Sequence, residues 1–355
     1  MDGVDGVILD VSGSRPTVVQ HAYESFPRPL SLALLDLNTT GPDELHRAAL
    51  AANSLTRIYD KVVKQLLCAS GIQARQVRAI GAHGQTVRHR PQEFDSLGYT
   101  LQLNNPALLA ELTGIDVVAD FRTRDLAAGG QGAPLVPAFH QAMFSKESEV
   151  VAVLNIGGIS NLTILEDLHV KGFDCGPGNL LMDLWCYQHT GHPFDKNGAW
   201  AASGQVNHQL LTALMSDAFF SKKPPKSTGR DLFNSRWLSS HIDAFNPLLP
   251  EDIQATLTAL TATACAKDVL NYAPKTRSLI VCGGGAFNNC LMQGLQAALA
   301  EVQVIPSDAL GLPALQVEAA AFAWFAQKTM LRQTASLRNV TGASGARILG
   351  AIYPA

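Results

Sequence analysis

Three glycine-rich runs constrain this chain more than any other feature: Asn155-Ile156-Gly157-Gly158-Ile159-Ser160-Asn161, Asp174-Cys175-Gly176-Pro177-Gly178-Asn179 and Cys282-Gly283-Gly284-Gly285-Ala286-Phe287-Asn288. Each closes a strand-like segment. Glycine lets backbone N–H groups approach an anion closely, and a following helix start adds a favourable dipole. Taken singly, each run reads as a structural turn. Three of them in one half of a chain favour phosphate-binding loops. No G-x-x-x-x-G-K-[ST] is present, and G-x-G-x-x-G does not follow the first strand, so P-loop and Rossmann readings lack their signature.

Around these runs the pattern alternates strand-like and helix-like segments, which predicts an α/β class. Val4 to Val11, a turn at Ser12 to Pro16, and Thr17 to Tyr23 form an opening hairpin. Apolar residues at Leu45, Ala48, Ala52, Leu55, Ile58, Tyr59, Val62 and Leu66, with Gly71 as a stop, predict a long amphipathic helix. Strands are expected at Val77 to Ala82, Tyr99 to Leu103 and Ile115 to Ala119, with a helix at Pro106 to Leu112. The glycine-rich passage Ala127 to Pro134 marks a domain boundary, giving a first lobe of 1–126 and a second of 127–344, with 345–355 returning to the first. The second lobe repeats the opening theme: a strand at Val150 to Asn155, a Gly157-Gly158 turn, and a returning strand at Ser160 to Leu165. Two such units suggest an internal duplication. Further helices are expected at Leu135 to Phe144, Asn179 to His189, Gln205 to Ser216, Glu251 to Asn271, Asn288 to Leu299 and Pro313 to Gln327, with strands at Ser278 to Cys282 and Val302 to Ile305.

Composition excludes several classes. A chain of 355 residues that is 47% hydrophobic and 16% charged can bury roughly two domains' worth of core and is not a disordered polyelectrolyte. A net charge of -3 supplies no broad cationic surface for nucleic acid. The most apolar run, Glu318 to Phe325, is too short to span a bilayer, and Met1-Asp2-Gly3-Val4-Asp5 is unlike a secretory leader, so a soluble cytoplasmic protein is expected. Six cysteines without a C-x-x-C pair read as reduced core thiols.

Asp183 is the candidate general base. It lies in the first turn of the helix after Asn179, where the dipole favours its ionised form, and its neighbours Leu181, Met182, Leu184 and Trp185 are apolar. A capping acid is the alternative. His83 and Gln85, in Ala82-His83-Gly84-Gln85-Thr86, gather polar groups suited to a polyhydroxylated ligand. Arg122 and Arg124, in Asp120-Phe121-Arg122-Thr123-Arg124-Asp125, could hold a carboxylate or phosphate, or form a surface ion pair. Glu318 sits in an otherwise apolar helix as either a hinge-facing polar contact or a solvent-facing residue.

Taken with Gly129-Gly130-Gln131-Gly132-Ala133-Pro134-Leu135-Val136-Pro137 and Lys226-Ser227-Thr228-Gly229-Arg230, these motifs resemble anhydro-N-acetylmuramic acid kinase along the whole chain. The resemblance implies a two-lobed actin-like (ribonuclease H-like) ATPase fold with the active site in the interlobe cleft. It implies ATP and Mg2+ as cofactors, a small amino sugar as partner, a homodimer, and conversion of 1,6-anhydro-N-acetylmuramic acid to N-acetylmuramic acid 6-phosphate in cell-wall recycling. By the same resemblance Asp183 is the catalytic base, His83, Gln85, Arg122 and Glu318 line the sugar pocket, and Asp2, Gly3, Val4, Asp5, Asn155, Gly157, Gly158, Asn161, Gly176, Gly178, Asn179, Gly283, Gly284 and Gly285 bind ATP. It identifies no metal ligands.

The sequence departs from the family in two places. Family members carry a strand and a Ser-Gly-Thr-Ser turn ahead of Asp-Gly-Val-Asp, which leads to the expectation that Met1 is an internal methionine with that piece lying upstream, and that its loss would leave a sheet edge unpaired. Asn104 stands where the family has glycine. A sugar-binding protein without activity and an ordinary hexose-type kinase, with Asp183 deprotonating a hydroxyl, are the rival readings.

Overall fold

A computed structural model describes residues 3–13, 15–166, 169–245 and 247–355. The chain divides into two units, Met1–Met143 with Gln316–Ala355, and Phe144–Leu315.

In the first unit, β1 (Gly3–Asp10) and β2 (Thr17–Ser25) form the expected hairpin, with a bulge between Ile8 and Leu9. After α1 (Arg28–Asp36), α2 (Glu44–Ser70) follows the predicted periodicity: Ala52, Leu55, Val62 and Leu66 are buried, and Gly71 ends the helix at φ 71°. Only Ile80–Gly81 of the expected strand at 77–82 pairs with a neighbour, as β3. A side chain at Gly81 would meet the Phe322 carbonyl oxygen at 2.2 Å, and the chain then turns away through Gly84 at φ 79°. The residues beyond, expected only as a strand end, form β4 (Gln85–Pro91) in antiparallel register with β5 (Gly98–Leu103). Next come α3 (Pro106–Thr113), β6 (Val117–Ala119), α4 (Thr123–Leu126) and α5 (Val136–Phe144).

The second unit is built on β7 (Val150–Ile156), where Val151, Ala152, Val153 and Leu154 are wholly buried, as the continuous apolar run of a central strand requires. It pairs antiparallel with β8 (Ile159–Glu166), which pairs with β9 (His169–Pro177). Then follow α6 (Leu180–Thr190), α7 (His208–Met215), α8 (Ser235–Ile242), α9 (Pro250–Tyr272), β10 (Ser278–Cys282), α10 (Asn289–Ala298) and β11 (Gln303–Pro306). The strand order β11-β10-β7-β8-β9, with β10 parallel to both β7 and β11, is the expected ribonuclease H-like arrangement.

The chain returns to the first unit through α11 (Val317–Met330), α12 (Arg338–Thr341) and β12 (Ala351–Tyr353). The boundaries expected at 126/127 and 344/345 therefore differ from this division. Aromatic packing is the reason: Phe322 and Phe325 of α11 lie 5.4 and 6.0 Å from Phe121, and Trp324 lies 6.0 Å from Phe139 of α5. The buried Asp125 carboxylate adds to this by accepting from Thr341 Oγ1 and the Gly132 amide, each at 2.8 Å. Here the strands form separate sheets, β1-β2 and β12-β6-β3, besides the β4-β5 pair; no described strand takes the position between them that β7 holds in the second unit.

Of the cysteines, Cys175, Cys186, Cys265 and Cys282 are buried as expected of core thiols, whereas Cys68 is exposed and Cys290 partly so. Beside Cys175, a buried ion pair ties a loop to the core: Lys226 Nζ lies 2.8 Å from Asp268 Oδ2 on α9, with side chains only 2% and 5% exposed. Breaking such a pair leaves an uncompensated buried charge. Lys226→Met should therefore cost about 3–5 kcal/mol, and a double variant with Asp268→Leu should recover much of it. Urea unfolding of both variants checks this; a near-neutral Lys226→Met would remove the pair's structural role.

Candidate active site

The sheet of the second unit brings the three glycine runs to one edge. Asn155 pairs with Asn161 on β8 and with Cys282 on β10, so the Gly157-Gly158 turn and the Gly283–Gly285 run leave the sheet side by side. The third run folds onto the first: Asn179 N donates to Gly157 O at 2.8 Å, Gly178 N to Gly158 O at 2.9 Å, and the Asn179 side-chain amide to Ile156 O at 3.3 Å. This approach needs glycine. A Cβ at Gly178 would stand 2.3 Å from Gly157 O, and one at Gly283, whose φ is 80°, 2.6 Å from both Ile156 O and Asn155 Oδ1. A Cβ at Gly285 would collide with the Ile156 side chain at 2.4 Å, whereas one at Gly284 meets only the Asn179 amide, at 3.3 Å. Gly284 therefore faces open space, and its lack of a side chain answers no crowding inside the protein.

From behind, α9 braces the turn. Thr261 Oγ1 donates to Pro177 O and Gly178 O, both at 3.1 Å, and Ser160 Oγ donates to Gly176 O at 3.1 Å. Asn179 stands at the N-cap position of α6, and the amide of Asp183 donates to Asn179 O at 2.7 Å. The half-buried Asp183 thus stands one turn into the helix whose start carries the glycine loop. Asp174, just before that loop, carries no sequence signal that marks it as a site residue. Its carboxylate accepts from the Thr228 amide at 2.9 Å while its own amide donates to Lys226 O at 3.0 Å, so the Lys226–Arg230 motif is stitched along the edge strand β9. Burial raises the Asp174 carboxyl to about 6, against the lowering effect of the Thr228 amide and Lys226.

The first unit gathers most of the expected sugar-pocket residues. Arg122 Nε donates to His83 Nε2 at 3.0 Å, and its Nη1 donates to Gly132 O at 2.8 Å. Burial, with the Arg122 charge beside it, holds His83 well below its usual range, so the ring is neutral and Nε2 accepts. Glu318 is raised by burial and by Asp5, against the attraction of Arg122, yet among the described residues no carboxylate lies within ion-pair distance of Arg122. By accessible surface Arg122 is half-buried and Glu318 exposed, so both charged groups keep access to solvent or to a polar ligand. Tyr59 of α2 joins them: burial and Glu318 push its phenol up, and the Gly84 backbone bonds to it. It was placed in sequence only as a core residue of the helix, and periodicity carries no signal of its polar tip.

Gln85 departs from the group, since its amide donates to the Thr86 carbonyl at 3.3 Å. Gly3, Val4 and Asp5 lie on β1, where Asp5 pairs with His21 at 3.0 Å. Asp2 lies outside the described residues. Asn104, standing where the resemblance implied glycine, donates to Ala82 O at 3.2 Å, and Asn105 caps α3.

A sequence model of the anhydro-N-acetylmuramic acid kinase family matches residues 1–355. The chain is 59% identical over 376 residues to a protein of that name from Albidiferax ferrireducens, covering all of this chain and 97% of that protein. It is 60% identical over 361 residues to one from Variovorax paradoxus, covering all of this chain and 96% of that protein. Among solved structures it is similar to the activator of the 2-hydroxyisocaproyl-CoA dehydratase from Clostridium difficile with bound ADPNP, at a TM-score of 0.47 and 13% identity over 92% of this chain and 90% of that one.

Asp174 makes a prediction for solution. Its carboxyl titrates at about 6 in the folded protein against 3.8 for the free group, so between these values the folded state binds more protons than the unfolded one, and stability falls as pH rises. Asp174→Asn removes this contribution while leaving an oxygen for the Thr228 amide. Relative to Asp174→Asn, the parent should lose stability progressively between pH about 4 and 6 in denaturant titrations. A constant difference across that range would contradict the assignment.

Proposed function

The chain belongs to the anhydro-N-acetylmuramic acid kinase family and is a sugar kinase; from that premise we propose how its residues carry out ATP-dependent hydrolytic phosphorylation of 1,6-anhydro-N-acetylmuramic acid. The observation that carries the reading is the joining of three glycine turns at the ends of β7, β9 and β10, with Asp183 one turn into the helix that follows one of them.

The substrate has no free hydroxyl at C1 or C6, because O6 bridges the two carbons. Water attacks C1, the C1–O6 bond breaks, and O6 attacks the γ-phosphorus of ATP as ADP leaves. Asp183 takes the proton of the water, and the helix N-terminus favours its ionised form. Backbone amides of the Gly157-Gly158 turn cradle phosphate oxygens, the Gly176–Asn179 turn buttresses that turn through the Gly178 and Asn179 amides, and Gly283 to Gly285 offer their backbone to the adenosine; little covalent chemistry is asked of the protein beyond positioning. Asn155 and Asn161 flank the first turn, in register with each other. His83, Arg122 and Glu318 hold the sugar: the neutral ring and the guanidinium present fixed donors and acceptors, and Glu318 accepts from sugar hydroxyls. Gln85 contributes to this pocket only by turning away from Thr86.

Among the described residues no three metal-ligating side chains cluster, and the carboxylates at the glycine turns are single ones. That donor set suits Mg2+, which is bound through one or two carboxylates and substrate phosphates, and which would neutralise charge on the transferred group. ATP as co-substrate supports a cytoplasmic location, and the family resemblance supports a homodimer.

Two experiments test the reading. Gly284→Val should weaken ATP binding and leave sugar binding intact, because the structure has room for the side chain but a nucleotide on that backbone would not; loss of both, or of neither, in calorimetry would end the adenosine assignment. Asp183→Asn should keep both affinities within several-fold and lower turnover by about a hundred-fold to ten-thousand-fold, the range for loss of a general base. In oxygen-18 water the label should enter C1 and stay out of the phosphate. Label in the phosphate, or an Asn variant with normal turnover, would show that another group activates the nucleophile.

A further inference from the structure

Arg122 and Arg124 stand two residues apart in sequence, and the structure sends them to different places. Arg122 turns to His83 and the Gly132 carbonyl. Arg124 is exposed and makes no side-chain hydrogen bond or ion pair among the described residues. It lines a surface cavity of about 280 Å³ together with Ala127, Ala128, Ser344 and Arg347. All five residues belong to the first unit, whereas the glycine turns belong to the second.

Two segments distant in sequence are tied together around this cavity. Ser344 N donates to Ala128 O at 2.8 Å, and Gln131 N to Thr341 O at 2.9 Å. The wholly buried Asp125 carboxylate accepts from Thr341 Oγ1 and the Gly132 amide, so it joins the segments instead of neutralising a guanidinium. Arg347 is fixed at its backbone, where its amide donates to Ser336 Oγ and its carbonyl accepts from Ala335 N, each at 2.9 Å. Its guanidinium is aimed by Nη1 donating to Ala346 O and Nη2 to Ser344 Oγ, each at 3.0 Å. Both partners are neutral, and other N–H groups of the fork are left for a ligand. Ser344 Oγ, having accepted from Arg347, keeps its own proton to donate. Two cations with no carboxylate at ion-pair distance among the described residues thus share one cavity with a hydroxyl donor. One guanidinium satisfies a carboxylate, but two match a phosphate group, which carries about 1.5 to 2 negative charges at neutral pH and three acceptor oxygens. A volume near the lower end of small-molecule pockets, about 300 Å³, leaves room for whatever carries that phosphate.

We propose that Arg124, Arg347 and Ser344 form a second anion site, contained in the first unit, that binds a dianionic phosphate group, free or esterified to a small molecule. Inorganic phosphate, glucose 6-phosphate and acetate are titrated by calorimetry into the full chain and into its Arg124→Ala and Arg347→Gln variants. Phenylglyoxal labelling followed by peptide mass spectrometry reads which arginines each ligand shields. The two phosphates should shield Arg124 and Arg347 together, and acetate should shield neither. Each variant should weaken phosphate binding by about ten-fold or more, as loss of a hydrogen bond to a charged group does, and added salt should weaken it in the parent. Arg124 has no partner within the protein, so its removal leaves the fold intact and its result stands even if Arg347→Gln unfolds. Tighter binding of the sugar phosphate assigns the site to a phosphate ester, and equal binding assigns it to free phosphate. Unchanged phosphate affinity in Arg124→Ala, or acetate bound as tightly as phosphate, would overturn the proposal. Shielding confined to Arg122 would place the phosphate with His83 instead and overturn it too.

Discussion

The carboxyl end of β7 is the point on which the second unit depends. Its last carbonyls and the turn after it accept from Gly178, Asn179 and the Asn179 side chain, while Gly283 packs against Ile156 from the neighbouring strand. Three separate segments are thereby held within van der Waals contact, by backbone bonds and one side-chain amide. Side chains would prevent this, which is why three glycine runs far apart in the chain share one requirement. The result is a set of interlocked turns on a well-buried sheet, with Val151 to Leu154 inaccessible to solvent. Phosphate recognition gains from such preorganisation, because the dipoles need not reorganise as charge arrives.

The first unit supplies a different kind of order. Arg122 is held at two points by neutral acceptors, His83 and the Gly132 carbonyl, and has no carboxylate at ion-pair distance among the described residues. Burying a charge without a counterion is unfavourable, and proteins accept that cost chiefly where a ligand completes the site. Glu318 is exposed at the start of α11, and the half-buried Tyr59, whose phenol the Gly84 backbone bonds, is pushed up by burial and by Glu318. The pocket is rigid for a reason visible in the packing: Phe322, next to Glu318 in α11 by one turn, lies 4.3 Å from the His83 ring. The aromatic core that draws α11 into this unit thus also packs against the His83 ring.

Much of this was legible without the structure. The hairpin at the start, the stripe on α2 and its Gly71 stop, the buried run of β7 and the glycine turns all follow from local rules of period and conformational freedom. Elements whose composition or register hides the alternation of a strand were less legible. The β9 strand, His169–Pro177, shows in the sequence only as the strand-like segment that the second glycine run closes, because Gly172, Gly176 and a terminal proline blur its pattern until β8 supplies its ladder. The β4 strand is irregular at the bulge beside Arg88, which hides its alternation. Asp174 and Tyr59 each belong to elements whose other residues explain them fully, so their polar ends drew no attention.

The sequence by itself determined the chemistry on offer: which backbone positions can approach an anion, which helix start carries an acid, and which motifs identify the family. Tertiary structure alone decided which of these groups meet. Gln85 turns back to its own strand, Asn104 takes a structural bond at Ala82, and α11, next in sequence to the second unit, packs with the first. Period and propensity are properties of a few neighbouring residues. A hydrogen bond such as Arg122 to His83, or a ring contact such as Phe322 to Phe121, depends on where segments dozens to hundreds of residues apart come to rest, and that is settled only when the whole core is buried at once.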